Sequence, residues 1–168
     1  MISHKLVKAI RAQFLLDWQG IHGVPHWGRV LDNGLRLAET TDARVEVVEL
    51  FAFFHDSRRE HDGTDHGHGE RAAGFALELH GRFFELDRAG LDLLVAACRG
   101  HSDGLIEADV TIQTCWDADR LDLGRVGKRP DPRRLCTGAA RDPSLIEWAY
   151  RRSLGTSARR LPPLKSTR

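Results

Sequence analysis

Apolar positions recur along most of the chain at intervals of three and four residues, the spacing that lines up side chains on one face of an α-helix. The pattern predicts helices over Lys5–Asp17, Pro25–Glu39, Ala43–His55, His68–His80, Asp87–Gly100, Ala108–Leu123 and Pro143–Leu154. Pro25 suits a first helical turn, where its missing N–H costs nothing. Leu50–Phe54 is apolar on every side, as a helix through the middle of a core must be, and its length and flanks favour helix over strand. Gly20–Pro25 and Ser57–Gly67 read as loops, and Gly124–Asp142, with Pro130 and Pro132, as mostly irregular chain. No internal repeat or low-complexity linker divides the sequence. The expected fold is all-α, a single-domain bundle of six to seven helices over residues 1–154, with a flexible tail over residues 155–168.

Several of these apolar stripes begin or end in histidine or aspartate. Ile112, Cys115 and Trp116 lead to Asp119, and Leu123 continues the register. Leu91, Leu94, Val95 and Cys98 lead to His101. His68 precedes Ala72, Phe75, Ala76 and Leu79, and Val47, Val48 and Phe51 lead to His55, followed at once by Asp56. One histidine on an apolar face is ordinarily a hydrogen-bonded core residue, and one aspartate at a helix end is ordinarily a cap. Convergence from four helices asks for more, because a buried, unpaired carboxylate is costly. A divalent cation would neutralise the carboxylates and satisfy the imidazoles together.

These residues, with His26, resemble the HD superfamily of metal-dependent phosphohydrolases. The family pattern is a histidine, then an adjacent His-Asp pair closing a buried helix, then a distant aspartate. Here it reads His26 (in PHWGRV), His55-Asp56 (in FAFFHDS) and Asp119 (in WDADRLDLG), so the resemblance spans about Gly20 to Gly124. The family's ligand aspartate directly precedes a basic residue and leucine, which selects Asp119 over Asp117. Asp117 lies roughly 200° away around the helix and is expected to be a supporting or surface residue. Some members hold a second metal through two further histidines, with the pair's aspartate bridging. His68 (in HGERAA) and His101 (in CRGHSDG) are the candidates, whereas His61 and His66 fall in a loop and read as solvated. Ser57-Arg58 stands where Ile-Gly often follows the pair, and the gap from Asp56 to His68 is short.

The resemblance implies one or two divalent metal ions, of unassigned identity, and hydrolysis of a phosphomonoester or phosphodiester, such as a nucleotide, by a metal-activated water. Asp56 would serve both metal and catalysis. Arg58 and Arg59, directly after the pair, have the bidentate geometry that binds phosphate, and Glu60 is a candidate general acid or base. The same ligand order is also found in family members that use two irons and oxygen to cleave a C–H or C–P bond. A non-catalytic, metal-stabilised module is a third possibility.

Composition narrows the field. The chain has 168 residues, 41% hydrophobic and 29% charged, with a formal net charge of +1. That suits one domain with one core, and gives no bulk-charge reason to expect a nucleic-acid or membrane partner. A small phosphorylated molecule is the expected partner. The three cysteines lack metal-knuckle or redox spacing, and Cys98 and Cys115 sit in apolar runs, which fits a reducing, cytoplasmic compartment. No signal peptide or membrane-length apolar stretch is expected. There is no Gly-rich phosphate loop, and Trp27 and Trp116 fall on apolar helix faces, as core rather than as platforms for bases.

Overall fold

The computed structural model describes residues 2–155 and is built from helices joined by loops and turns. The helices are α1 (His4–Gln13), α2 (Val24–Ala38), α3 (Val45–Phe54), α4 (His68–Leu79), α5 (Arg88–Gly100), α6 (Val110–Arg120) and α7 (Pro143–Leu154), with 3-10 turns at Leu123–Val126 and Pro132–Arg134. All seven predicted helices are present. The expected tail falls, past Gly155, outside the described residues. No helix is long and apolar enough to cross a membrane among the described residues.

Local chemistry explains where the helices start. Ser3, Asp87, Asp109 and Asp142 each accept a hydrogen bond from a first-turn amide, at 3.1 Å to Leu6 N, 2.7 Å to Gly90 N, 2.8 Å to Thr111 N and 2.7 Å to Ser144 N. Such caps satisfy donors that the helix itself leaves unpaired. Pro25 and Pro143 occupy first turns. Two helices stop earlier than their apolar pattern suggests. After Gln13 the backbone turns extended at Phe14 (φ −78°, ψ 124°). The Phe14 ring then packs edge-on against Trp18 and Trp27, at centroid distances of 5.7 and 5.1 Å. α6 ends at Arg120 and gives way to the tighter turn at Leu123–Val126.

α3 is the innermost helix, with Val47, Val48 and every residue from Leu50 to Phe54 buried. It packs against α2, α5 and α6, with α4 lying along α5 and α7 against α2. Gly34 permits the close α2–α3 crossing, because a Cβ there would lie 2.5 Å from Val48 Cγ1. Each large apolar side chain so buried contributes about 1.5–3 kcal/mol, so apolar packing holds α3 in place and its polar C-terminal end is carried by it. At that end of the bundle the start of α2, the end of α3, the start of α4 and the ends of α5 and α6 come together.

Candidate metal centre

The five helix ends bring His26, His55, Asp56, His68, His101 and Asp119 into one cluster. Of these, His26 and His55 are completely buried, and Asp56, His68 and His101 are at most 5% exposed. Two groups have ligand atoms mutually within 4.8 Å: His26, His55 and Asp56, and Asp56, His68 and His101. Asp56 belongs to both. Its Oδ2 lies 3.6 and 3.8 Å from the Nε2 atoms of His26 and His55, and its Oδ1 lies 3.4 and 3.6 Å from those of His68 and His101. Asp119 Oδ1 flanks the first group, 3.4 Å from His26 Nε2 and 3.9 Å from His55 Nε2.

The four imidazoles are aimed alike. Nδ1 of His26 meets Asp122 Oδ2 at 2.7 Å, that of His55 meets Phe51 O at 3.1 Å, and that of His101 meets Cys98 O at 2.7 Å. Nδ1 of His68 meets Asp65 O. An oxygen acceptor at each Nδ1 requires the proton there, so each Nε2 presents its lone pair inward. This is how metal-binding histidines are oriented by the groups behind them. The inward nitrogens then face one another in pairs, His26 to His55 at 3.0 Å and His68 to His101 at 2.8 Å. Two lone pairs at that separation repel unless a cation lies between them. Ligands about 2.1 Å from one ion in adjacent octahedral positions stand about 3.0 Å apart, which both pairs match.

Electrostatics in the first group keep a proton off His55 and charge on the aspartates. Burial pushes His55 down to about 3, against the pull of Asp56 and Asp119, so it stays neutral. Burial opposes charge on the two aspartates as well, yet both are held well below the usual carboxylate range. For Asp56 the cause is His55, His101, His22 and His26; for Asp119 it is His26, Arg125 and His55. In the second group burial lowers His68, whereas for His101 the Asp56 carboxylate outweighs burial and raises it. Three buried side-chain polar atoms lack a hydrogen-bond partner among the described residues: Trp27 Nε1, Arg59 Nε and Asp119 Oδ1. Asp119 Oδ1 points into the cluster and Arg59 borders it. Buried polar atoms are rarely left unpaired; the Arg125 guanidinium lies 3.6 Å from Asp119 Oδ1, which could also accept a metal ion.

Backbone proximity sets the second pair. Gly69 lies where α4 meets α5, and a Cβ there would come within 2.6 Å of Cys98 O and 2.8 Å of Arg99 O. With glycine, the start of α4 sits directly on the end of α5, and His68 reaches His101.

The cluster forms one end of a cleft of about 950 Å³ whose wall is strongly basic, with Arg59, Arg120, Arg125, Lys128, Arg129 and Arg134. Arg59 is buried and directed inward, its Nη1 lying 3.4 Å from Asp56 Oδ1 and 3.2 Å from His68 Nε2. Arg58 and Glu60 lie elsewhere, which corrects the sequence expectation for both. Arg58 donates to Gln13 O at 2.9 Å and lies over the Phe75 ring, binding α1 to the bundle. The exposed Glu60 carboxylate lies 3.5 Å from Arg71 and does not line the cleft. The chain turns at residues 55–59, which sends consecutive arginines to opposite sides. His61 and His66 are exposed. Asp117 is not a surface residue: it is fully buried and accepts hydrogen bonds from Cys136 N (2.7 Å), Thr137 N (2.8 Å) and Thr137 Oγ1 (2.8 Å).

Three supporting residues escaped the sequence reading. His22 donates from Nδ1 to Asp56 Oδ2 at 2.8 Å, from a loop where helical phase says nothing. Asp122 accepts from His26 Nδ1 and, at 2.6 and 3.0 Å, from Arg29 Nε and Nη2. The signal for that pair was present in two short words, His26 with Arg29 and Asp119 with Asp122, each three apart and opposite in charge.

No family model, curated protein or solved structure matches the chain. The helical architecture and its buried His/Asp cluster, which could hold a metal ion, are compatible with an HD-like fold.

Proposed function

We propose that this protein is a metal-dependent phosphohydrolase of the HD type, with two divalent ions held on either side of Asp56. The observation that carries the reading is the pair of opposed imidazole couples flanking one carboxylate, at the end of a basic cleft. His26, His55, Asp56 and Asp119 would hold the first ion, and Asp56, His68 and His101 the second. Such ions supply an activated water and neutralise phosphoryl oxygens.

The chain's own groups do the rest. Asp122 and the carbonyls of Phe51, Asp65 and Cys98 keep the four imidazoles in the ligating tautomer. Arg59 and Arg125 border the cluster, where guanidinium groups stabilise the charge that develops on a transferring phosphoryl group. Hydrolysis forms a bond from water oxygen to phosphorus, breaks the ester P–O bond, and delivers the water's proton to the leaving oxygen. A nucleotide substrate has less support than phosphate itself, because no Phe, Tyr or Trp lines the cleft.

The test is elemental analysis of the purified protein combined with phosphate-ester hydrolysis under added manganese, magnesium or cobalt. Expected are close to two metal ions per chain and turnover of p-nitrophenyl phosphate or its diester, abolished by chelation. Two tightly held irons with oxygen consumption would replace this reading with the di-iron oxygenase one. Metal-dependent stability without turnover of any phosphoester would leave a structural module.

A further inference from the structure

The cleft carries cations that the cluster does not need. Arg120 donates to Arg134 O at 2.9 Å and Leu105 O at 2.6 Å, which spends its guanidinium on building the wall. Arg125 donates to Ile21 O at 3.0 Å, and Arg129 pairs with Glu147 at 2.7 Å while lying over Tyr150. Lys128 and Arg134 differ. Both line the cleft and are exposed, and neither side chain has a hydrogen-bond or salt-bridge partner among the described residues. One acid beside them, Asp131, feels the charge of Arg134 as well as that of Arg133, which leaves the Lys128 charge and part of the Arg134 charge uncompensated. Asp131 is engaged by Arg133 at 2.8 Å, and Asp103 is the other acid on this part of the wall.

Lys128 and Arg134 lie on the stretch after the 3-10 turn at Leu123–Val126, and that stretch is anchored. Asp117 grips it at Cys136 and Thr137, and Arg120 grips it at Arg134 O. The two exposed cations are therefore displayed from a fixed wall. The cleft also exceeds what a lone phosphate occupies, since about 950 Å³ is near the upper end for small-molecule sites.

Building on the phosphohydrolase reading, we propose that Lys128 and Arg134 form a second anion site, and that the substrate is a compact, non-aromatic molecule with a second phosphate. A sugar or polyol bisphosphate fits this chemistry. One phosphate would meet the metal cluster while the other is held at the outer wall, so that the rim selects substrates by their second charge.

The test compares fructose 1-phosphate, fructose 1,6-bisphosphate and adenosine 5′-monophosphate on the metal-loaded protein and on the Lys128→Ala/Arg134→Ala double variant. Metal content is measured to show that the variant's cluster is intact. The expected result is a kcat/KM at least tenfold higher for the bisphosphate than for fructose 1-phosphate, falling to within twofold in the double variant. Equal kcat/KM for the two sugars, a preference unchanged in the variant, or faster turnover of adenosine 5′-monophosphate would overturn the proposal. If no phosphoester is turned over, the hydrolase reading fails and calorimetric binding decides the rim by itself. Fructose 1,6-bisphosphate binding at least tenfold weaker in the double variant supports it, and equal binding overturns it.

Discussion

Along α6, Asp117 and Asp119 stand two residues apart and face different parts of the molecule. Asp117 is enclosed by protein and receives three hydrogen bonds from Cys136 and Thr137, yet burial still pushes its pKa up. Asp119 has one buried oxygen that makes no hydrogen bond, with the Arg125 guanidinium 3.6 Å away, and His26, Arg125 and His55 lower its pKa against burial. The carboxylate with every partner is a clamp on the loop that follows. The one that keeps its charge and makes no hydrogen bond has bonding capacity that a metal ion could use. Degree of burial would not have separated them, because the more buried aspartate is the structural one. Unmet bonding capacity separates them.

Substitutions can break or sharpen that contrast. Asp119→Asn should have the largest effect, lowering first-site metal affinity more than 100-fold, since loss of even a supporting residue typically costs 10–100-fold. Elemental analysis and metal titration measure this, and full retention of metal would refute the assignment. Asp122→Asn should fall within that 10–100-fold range, because it removes the acceptor that fixes His26 rather than a ligand. Restoration of binding at high metal concentration would distinguish it from Asp119→Asn.

Asp117→Asn should leave metal content unchanged and lower unfolding free energy by about 1–3 kcal/mol, because an amide then faces three donors with fewer acceptors. Urea denaturation of the metal-free protein reads this directly. Metal-induced stabilisation from the first site, about 2.7 kcal/mol at a free concentration 100 times its Kd, should persist in Asp117→Asn and be lost in Asp119→Asn.

The smallest effect concerns Asp65, a buried carboxylate satisfied by Arg71 and by Glu60 N at 2.9 Å. Burial opposes charge on Asp65, but these bonds lower its pKa from 3.8 to about 2. The folded value is below the unfolded one, so its stabilisation is present above pH 4 and disappears as pH falls toward 2. The stability gap between wild type and Asp65→Asn should narrow over that interval, and a constant gap would deny the linkage.

Much of this was readable from side-chain spacing. The seven helices follow the apolar period, and the residues that end its stripes, His55, His68, His101 and Asp119, all reach the cluster. Phase failed where no helix exists: His22 lies in a loop, and Arg58 and Glu60 lie where the chain turns after α3, so adjacency to Asp56 did not predict their direction. It also left Asp117 open between a supporting and a surface residue, because α6 is buried on nearly all sides and a position roughly 200° from Asp119 still meets protein, the loop at residues 135–137. That contact is between distant parts of the chain, beyond the reach of a periodicity confined to one helix.

On the proposed two-ion reading, Gly69 gives the second ion an unusual dependence on a residue that cannot bind it. What a methyl group would strike there is main-chain carbonyl, with no rotamer into which to retreat. The number of ions such a cluster could hold would thus be written partly in the bareness of one backbone position, and a lineage could lose the second site with every proposed ligand still in its sequence.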